Sequence, residues 1–202
     1  DKLSKNWGKP VVVDHRPGGN GFIGIDAFKR GATDGHDLVQ LDSVHLTAYP
    51  YMFKKLPYDV SKDFEPIAPL FQAFLFFVVP TNSKYKTVAD LIADAKSRAL
   101  LVRLGLEKRM EAYPEVPTVA ESGGPANNYE VSGWNTIAGP KNLAPAIQEK
   151  IRKDIAEALS GPDVKVKFLT FGYVPLNLDR PQFAKFIQNE ATRYSAVIKR
   201  AK

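Results

Sequence analysis

There is no cysteine among the 202 residues. This excludes disulfides, thiolate metal ligands and a cysteine nucleophile, and it leaves the redox compartment open. Histidine is scarce: His15, His36 and His45 are the only three, and none pairs with another at a metal-binding spacing such as H-x-x-x-H. No G-x-S-x-G elbow is present. Glu111, Glu115, Glu121 and Asp163 are scattered, so no general acid–base pair is expected. No metal site and no nucleophile elbow or acid–base pair is therefore expected. Long apolar runs are missing too. The longest, residues 73–79, falls far short of the roughly 18–20 residues of a membrane span. No basic n-region and apolar h-region opens the chain, so either no signal peptide existed or it has been removed.

What is present is the balance of a globular protein, with 44% hydrophobic and 25% charged residues. The length allows one large domain or two small ones. The net charge of +6 comes from Lys and Arg that never run beyond two adjacent residues. Aromatics are not interleaved with them, which argues against nucleic acid as a partner.

The most informative stretch is residues 11–24. Val11, Val12 and Val13 predict a buried strand, Gly18-Gly19-Asn20-Gly21 a turn, and residues 22–30 a helix. A second strand is expected at residues 38–41, which would make a β-α-β unit with parallel strands. Residues 42–46 read as a polar loop at the same sheet edge, residues 49–56 as a short amphipathic helix, and residues 58–64 as a surface loop. Residues 73–79 read as a strand ended by Pro80, and Thr87 as the cap of a helix from Val88 to about Ser97. Further strands are expected at residues 99–104 and 129–138, with a proline-punctuated loop and a short helix capped by Thr118 between them. Three helices close the chain, at about residues 145–159, 162–171 and 181–198. A helix before Gly8 opens it. The class is α/β, whose ligand sites lie beyond the C-terminal ends of the strands.

The glycine turn admits three readings. Bare N–H groups and a helix N-terminus attract an anion such as a small carboxylate. Gly19-Asn20-Gly21-Phe22-Ile23-Gly24 also fits G-x-G-x-x-G, with Asp42 placed as a ribose acid. Against that dinucleotide reading, Asp14-His15-Arg16-Pro17 separates strand from glycines and Pro17 lacks a donor. In the third reading the glycines serve positive φ alone. His15 follows the strand, Arg16 reads as a surface residue or as a complement to an anion, His36 as an exposed turn residue, and Trp134 as core.

Residues 10–24 resemble the "PVVVENRPGAGGxIG" segment of the Bug-type periplasmic receptors of tripartite tricarboxylate transporters. Further resemblances follow in order: residues 34–38 to "PDGYTL", 56–67 to "LPYDPxKDFxPV", 87–92 to "TLAELI" and 114–123 to "PDVPTVAEAG". The resemblance implies a periplasmic-binding-protein-like (type II) parallel-sheet lobe. It implies a receptor that captures a dicarboxylate-like ligand between two lobes, through backbone amides and waters, and delivers it to membrane transporter subunits. Gly18, Gly19, Asn20 and Gly21 would donate to the ligand, Ser43 and His45 would add side-chain donors, and Trp134 with Asn135 would line the hinge face. Asp42 departs from the family's small polar residue. The family's first strand and its "FPAGG" loop would precede Asp1. Residues 97–98 join segments that the family keeps far apart. Residues 1–97 and 98–202 are therefore expected to form one lobe, with most of the second domain absent at that junction. The rival reading is an oxidoreductase fragment using the Gly19–Gly24 turn; a third is an inert scaffold.

Overall fold

The computed structural model describes residues 1–74, 78–97, 121 and 132–201. The strand expected at residues 99–104, the proline-punctuated loop and the Thr118-capped helix lie outside the described residues, Glu121 excepted. The chain forms two compact units. The first comprises Asp1–Gln72, Trp134–Phe168 and Val174–Lys202, the second Ala73–Gly133 and Leu169–Tyr173.

In the first unit, α1 (Lys2–Trp7) stops at Gly8, whose φ of 62° is the left-handed cap glycine tolerates. A glycine-rich 3-10 turn at Gly19–Gly21 leads into α2 (Phe22–Lys29). β1 (Val39–Asp42) runs directly into α3 (Ser43–Thr47), followed by single-turn helices α4 (Tyr49–Met52) and α5 (Val60–Asp63). β2 (Phe64–Phe74), β3 (Ser132–Pro140) and β4 (Tyr173–Pro175) complete a sheet of order β1-β3-β2-β4. The long helices are α7 (Pro145–Ser160), α8 (Pro162–Thr170) and α9 (Arg180–Ala201). Proline opens α7 at its first turn, where a missing N–H costs nothing.

Side-chain alternation along β3 divides the core between the two faces of the sheet. Trp134 and Ala138 join Leu41, Phe64, Ile25, Leu46, Tyr58 and Phe183. Ile137 faces the other way, against Ile67, Ala68, Leu143, Ile151 and Ile155. Helices thus cover both faces of the sheet, an α/β architecture. α1 is fastened to α7 by the Trp7 indole N–H, which donates to Asp154 at 2.5 Å.

In the second unit, α6 (Val88–Ser97) starts at a reciprocal cap. The Asp90 N–H donates to the Thr87 hydroxyl at 3.1 Å, and the Thr87 N–H donates back to the Asp90 carboxylate at 2.9 Å. Among the described residues no helix is long and apolar enough to cross a membrane.

Several expectations need correction. Residues 11–13 are not a strand; Val12 and Val13 are 83% and 72% exposed. A strand exists only through a neighbour's hydrogen bonds, and among the described residues no strand pairs with this segment. The parallel β-α-β unit is accordingly absent, and β1 pairs antiparallel with β3, with Leu41 opposite Thr136 and Asp42 opposite Asn135. Of residues 42–46, expected as loop, all but Asp42 lie in the helix α3, because Ser43, His45, Leu46 and Thr47 are all buried and their backbone needs internal partners. The strand expected at residues 73–79 begins at Phe64 instead, and Val78 is exposed. Pro66 and Pro69 disguise β2 because they donate no ladder bonds. Where residues 58–64 predict a loop, Asp59 caps α5 by accepting from the N–H groups of Ser61 and Lys62.

Candidate functional site

The turn at residues 18–21 is built from left-handed backbone throughout. Gly18, Gly19, Asn20 and Gly21 have φ of 114°, 54°, 57° and 84°. Two positions demand glycine on further grounds. Gly18 combines its φ with a ψ of 164°, a region closed to side chains. A Cβ on Gly21 would stand 2.5 Å from Nε2 of His45.

The N–H groups of this turn divide into two sets. Gly21 donates to the Gly18 carbonyl at 3.0 Å, and Phe22 donates to the Gly19 carbonyl. Those two are spent inside the turn. Among the described residues, no acceptor takes the N–H groups of Gly18, Gly19 or Asn20, and all three residues are exposed. They lie just ahead of α2, whose dipole adds partial positive charge there. Three of the four expected backbone donors are thus open to solvent, and Gly21 is not.

His45 meets the turn from α3. Its Nε2 lies 2.9 Å from the Asn20 carbonyl oxygen and its Nδ1 3.2 Å from that of Asp42. Tyr58 donates its hydroxyl to the His45 carbonyl at 2.7 Å. Burial first, and the neighbouring Tyr49 second, push the Tyr58 hydroxyl above its usual range, which keeps it a donor. Tyr49 stands edge-on to His45, and Phe22, Tyr49 and Phe53 pack edge-to-face among themselves. This aromatic buttress is absent from the sequence-based candidates. The aromatic density of residues 49–58 is its signal, though nothing local says that it gathers under the turn.

Ser43 and Trp134 are buried, and Arg16, His36 and Asp42 are exposed. Ser43 is only 3% exposed, and its carbonyl accepts the Thr47 hydroxyl. Trp134 has no exposed surface and stands edge-on to Phe183 and Phe186. It is core, and its indole N–H makes no hydrogen bond. Asn135 accepts from the Gln40 side chain at 2.9 Å. Arg16 is paired with Asp14 at 2.7 Å on the surface. His36 is exposed beside Asp34, whose carboxyl is held below its usual range by the His36 N–H and ring. Asp42 is exposed at the end of β1. The dinucleotide reading loses its structural context, since its fingerprint requires a strand immediately before the glycines.

Known proteins supply the remaining comparison. The family described as "Tripartite tricarboxylate transporter family receptor" matches residues 1–105 and 96–202. A UPF0065 protein of Bordetella bronchiseptica is 39% identical over 97 residues, a span that is 48% of this chain and 29% of that protein. BugT of Bordetella pertussis is 24% identical over 266 residues, covering 98% of this chain and 81% of that protein. The structure of R. palustris Rpa4515 with adipate shares the fold, with a TM-score of 0.83 at 19% identity over 98% of this chain and 88% of that one. Since the family model runs through both ends and the middle of the sequence, the chain belongs to the Bug-type receptors of the tripartite tricarboxylate transporter family.

Proposed function

We propose that this chain is an extracytoplasmic solute-binding receptor, periplasmic in its mature form, that captures a small carboxylate and carries out no catalysis. The observation that carries the reading is the run of three uncommitted N–H groups on Gly18, Gly19 and Asn20, immediately before a helix N-terminus. A carboxylate accepts from several such donors at once, and charge-assisted hydrogen bonds are the strong ones. Ordered waters complete its coordination. The adipate in the structure of Rpa4515 supports a dicarboxylate as the first probe. The captured ligand is handed to membrane transporter subunits, in keeping with the family description. Ser43 and Trp134 contribute the scaffold behind the site.

The domain reading belongs to the same proposal. Residues 1–97 and 98–202 together supply the family's first lobe, and the second unit, Ala73–Gly133 with Leu169–Tyr173, is the remnant of a second domain cut short near the 97–98 junction. Two findings support this. The family model matches in two stretches that overlap at residues 96–105. The alignment with BugT is 266 residues long against a chain of 202.

Calorimetric titration of the chain with adipate, with other aliphatic dicarboxylates and with NAD tests the receptor reading. Saturable heat with a dicarboxylate and none with NAD is expected. Saturable heat with NAD alone ends it, and silence with every acid leaves only a scaffold.

A further inference from the structure

Among the described residues, His45 is the one side chain that reaches the glycine turn from a distant element and bonds to it through a ring nitrogen. Its Nε2 lies 2.9 Å from the Asn20 carbonyl. That carbonyl belongs to the same peptide unit as the Gly21 N–H, which donates to Gly18 at 3.0 Å. The Asn20–Gly21 peptide is therefore tied at both ends, to Gly18 within the turn and to His45 outside it. The ring also occupies the space that a Cβ on Gly21 would need. Tyr49 on one side and the Tyr58 hydroxyl on the His45 backbone hold the ring and its helix in place. With 7% exposure, the imidazole has little surface to offer a solute.

A neutral imidazole has one N–H. Both ring nitrogens face carbonyl oxygens, and Nε2 makes the shorter contact, 2.9 against 3.2 Å, which favours a hydrogen on Nε2 donated to Asn20. We propose that His45 is a positioning residue and not a ligand donor. By fixing the plane of the Asn20–Gly21 peptide, it holds the N–H groups of Gly18, Gly19 and Asn20 in the arrangement that receives the anion. The proposal rests on the carboxylate reading of the turn.

The conservative variants separate this role from simple packing. In His45→Gln the side-chain amide nitrogen falls near the position of Nε2 and can still donate to Asn20. In His45→Asn the shorter amide stands near Nδ1 and leaves the Asn20 carbonyl unpaired. Gly21 amide hydrogen exchange, measured by NMR without ligand, is expected to accelerate roughly tenfold in the Asn variant and to stay within about threefold of wild type in the Gln variant. Adipate affinity measured by calorimetry is expected to follow the same order, with roughly a tenfold loss in the Asn variant. Nitrogen-15 spectra of the neutral wild-type ring should show the hydrogen on Nε2. Unchanged Gly21 exchange in the Asn variant overturns the proposal, as does a ring that carries its hydrogen on Nδ1. The exchange and ring measurements need no ligand. Failure of wild type to bind adipate or any other dicarboxylate would therefore count against the carboxylate reading alone. Should the Asn variant not fold, the ring tautomer and the Gln variant's exchange rate decide.

Discussion

Gly21 answers to two constraints at once, backbone and space. Its φ of 84° already disfavours any side chain. The His45 ring leaves no room for a methyl group, since Nε2 would be 2.5 Å away and its other side is held by Tyr49. Gly21→Ala is therefore expected to cost about 1–3 kcal/mol in urea unfolding. It is also expected to weaken adipate binding by at least tenfold in calorimetry, because relief of the clash displaces His45 from Asn20. Trp134 calls for the opposite outcome. Its ring is fully buried, yet its N–H makes no hydrogen bond. Trp134→Phe removes an unsatisfied donor along with some packing volume. The two effects oppose each other, so the loss in urea unfolding should stay below about 2 kcal/mol. Adipate affinity should be unchanged; a large loss of affinity at constant stability would restore Trp134 to the site.

At the scale of elements, α7 shows how electrostatics and packing meet. Arg152 holds Glu149 with two hydrogen bonds, at 2.7 and 2.9 Å, and this pulls the Glu149 carboxyl from an ordinary 4.5 down to about 2. A depressed carboxylate stabilises the fold above its unfolded value and ceases to do so as pH falls towards its folded one. The pair's contribution is thus present above about pH 5 and fades between about pH 4.5 and 2. Arg152→Met removes it at every pH. The gap in urea midpoint between wild type and Arg152→Met should therefore narrow as pH is lowered from 6 to 2.5; a gap that does not change with pH would mean that Arg152 acts by packing alone. The partial exposure of Glu149 keeps the effect modest. Such elements also show what a sequence discloses. The terminal helices are readable because apolar residues recur at helical spacing and proline marks their first turns, as in α7 and α8. Residues 11–13 mislead because three valines report a preference for strand but not the presence of a neighbour to pair with. α3 is hidden because its polar Ser43, His45 and Thr47 are buried by contacts with other elements, among them α9. Pro66 and Pro69 hide β2 by the same kind of override. The site follows that division. The glycines announce the turn, whereas the bond from His45 to Asn20 spans 25 positions and has no local signature.

For the molecule as a whole, ligand capture and fold stability are one equilibrium. A solute that binds only the folded chain stabilises it by RT ln(1 + [L]/Kd). In the proposed domain arrangement the carboxylate is held mainly by the amides of one lobe, because closure by a full second domain is curtailed, and a dissociation constant near 1 mM is a reasonable scale for a few charge-assisted bonds. At 10 mM adipate the stabilisation is then about 1.4 kcal/mol, or about 3–6 °C in the thermal midpoint of a domain this size. NAD at the same concentration should give no shift. The net charge of +6 provides the necessary control, since any polyanion can bind a basic surface weakly and raise the midpoint without using the turn. Sulfate at matched ionic strength reports that background. The adipate shift should exceed the sulfate shift in wild type and collapse to it in Gly21→Ala. Equal shifts for both anions, unaffected by the substitution, would place the interaction on the general surface charge and not on the amides of residues 18–20.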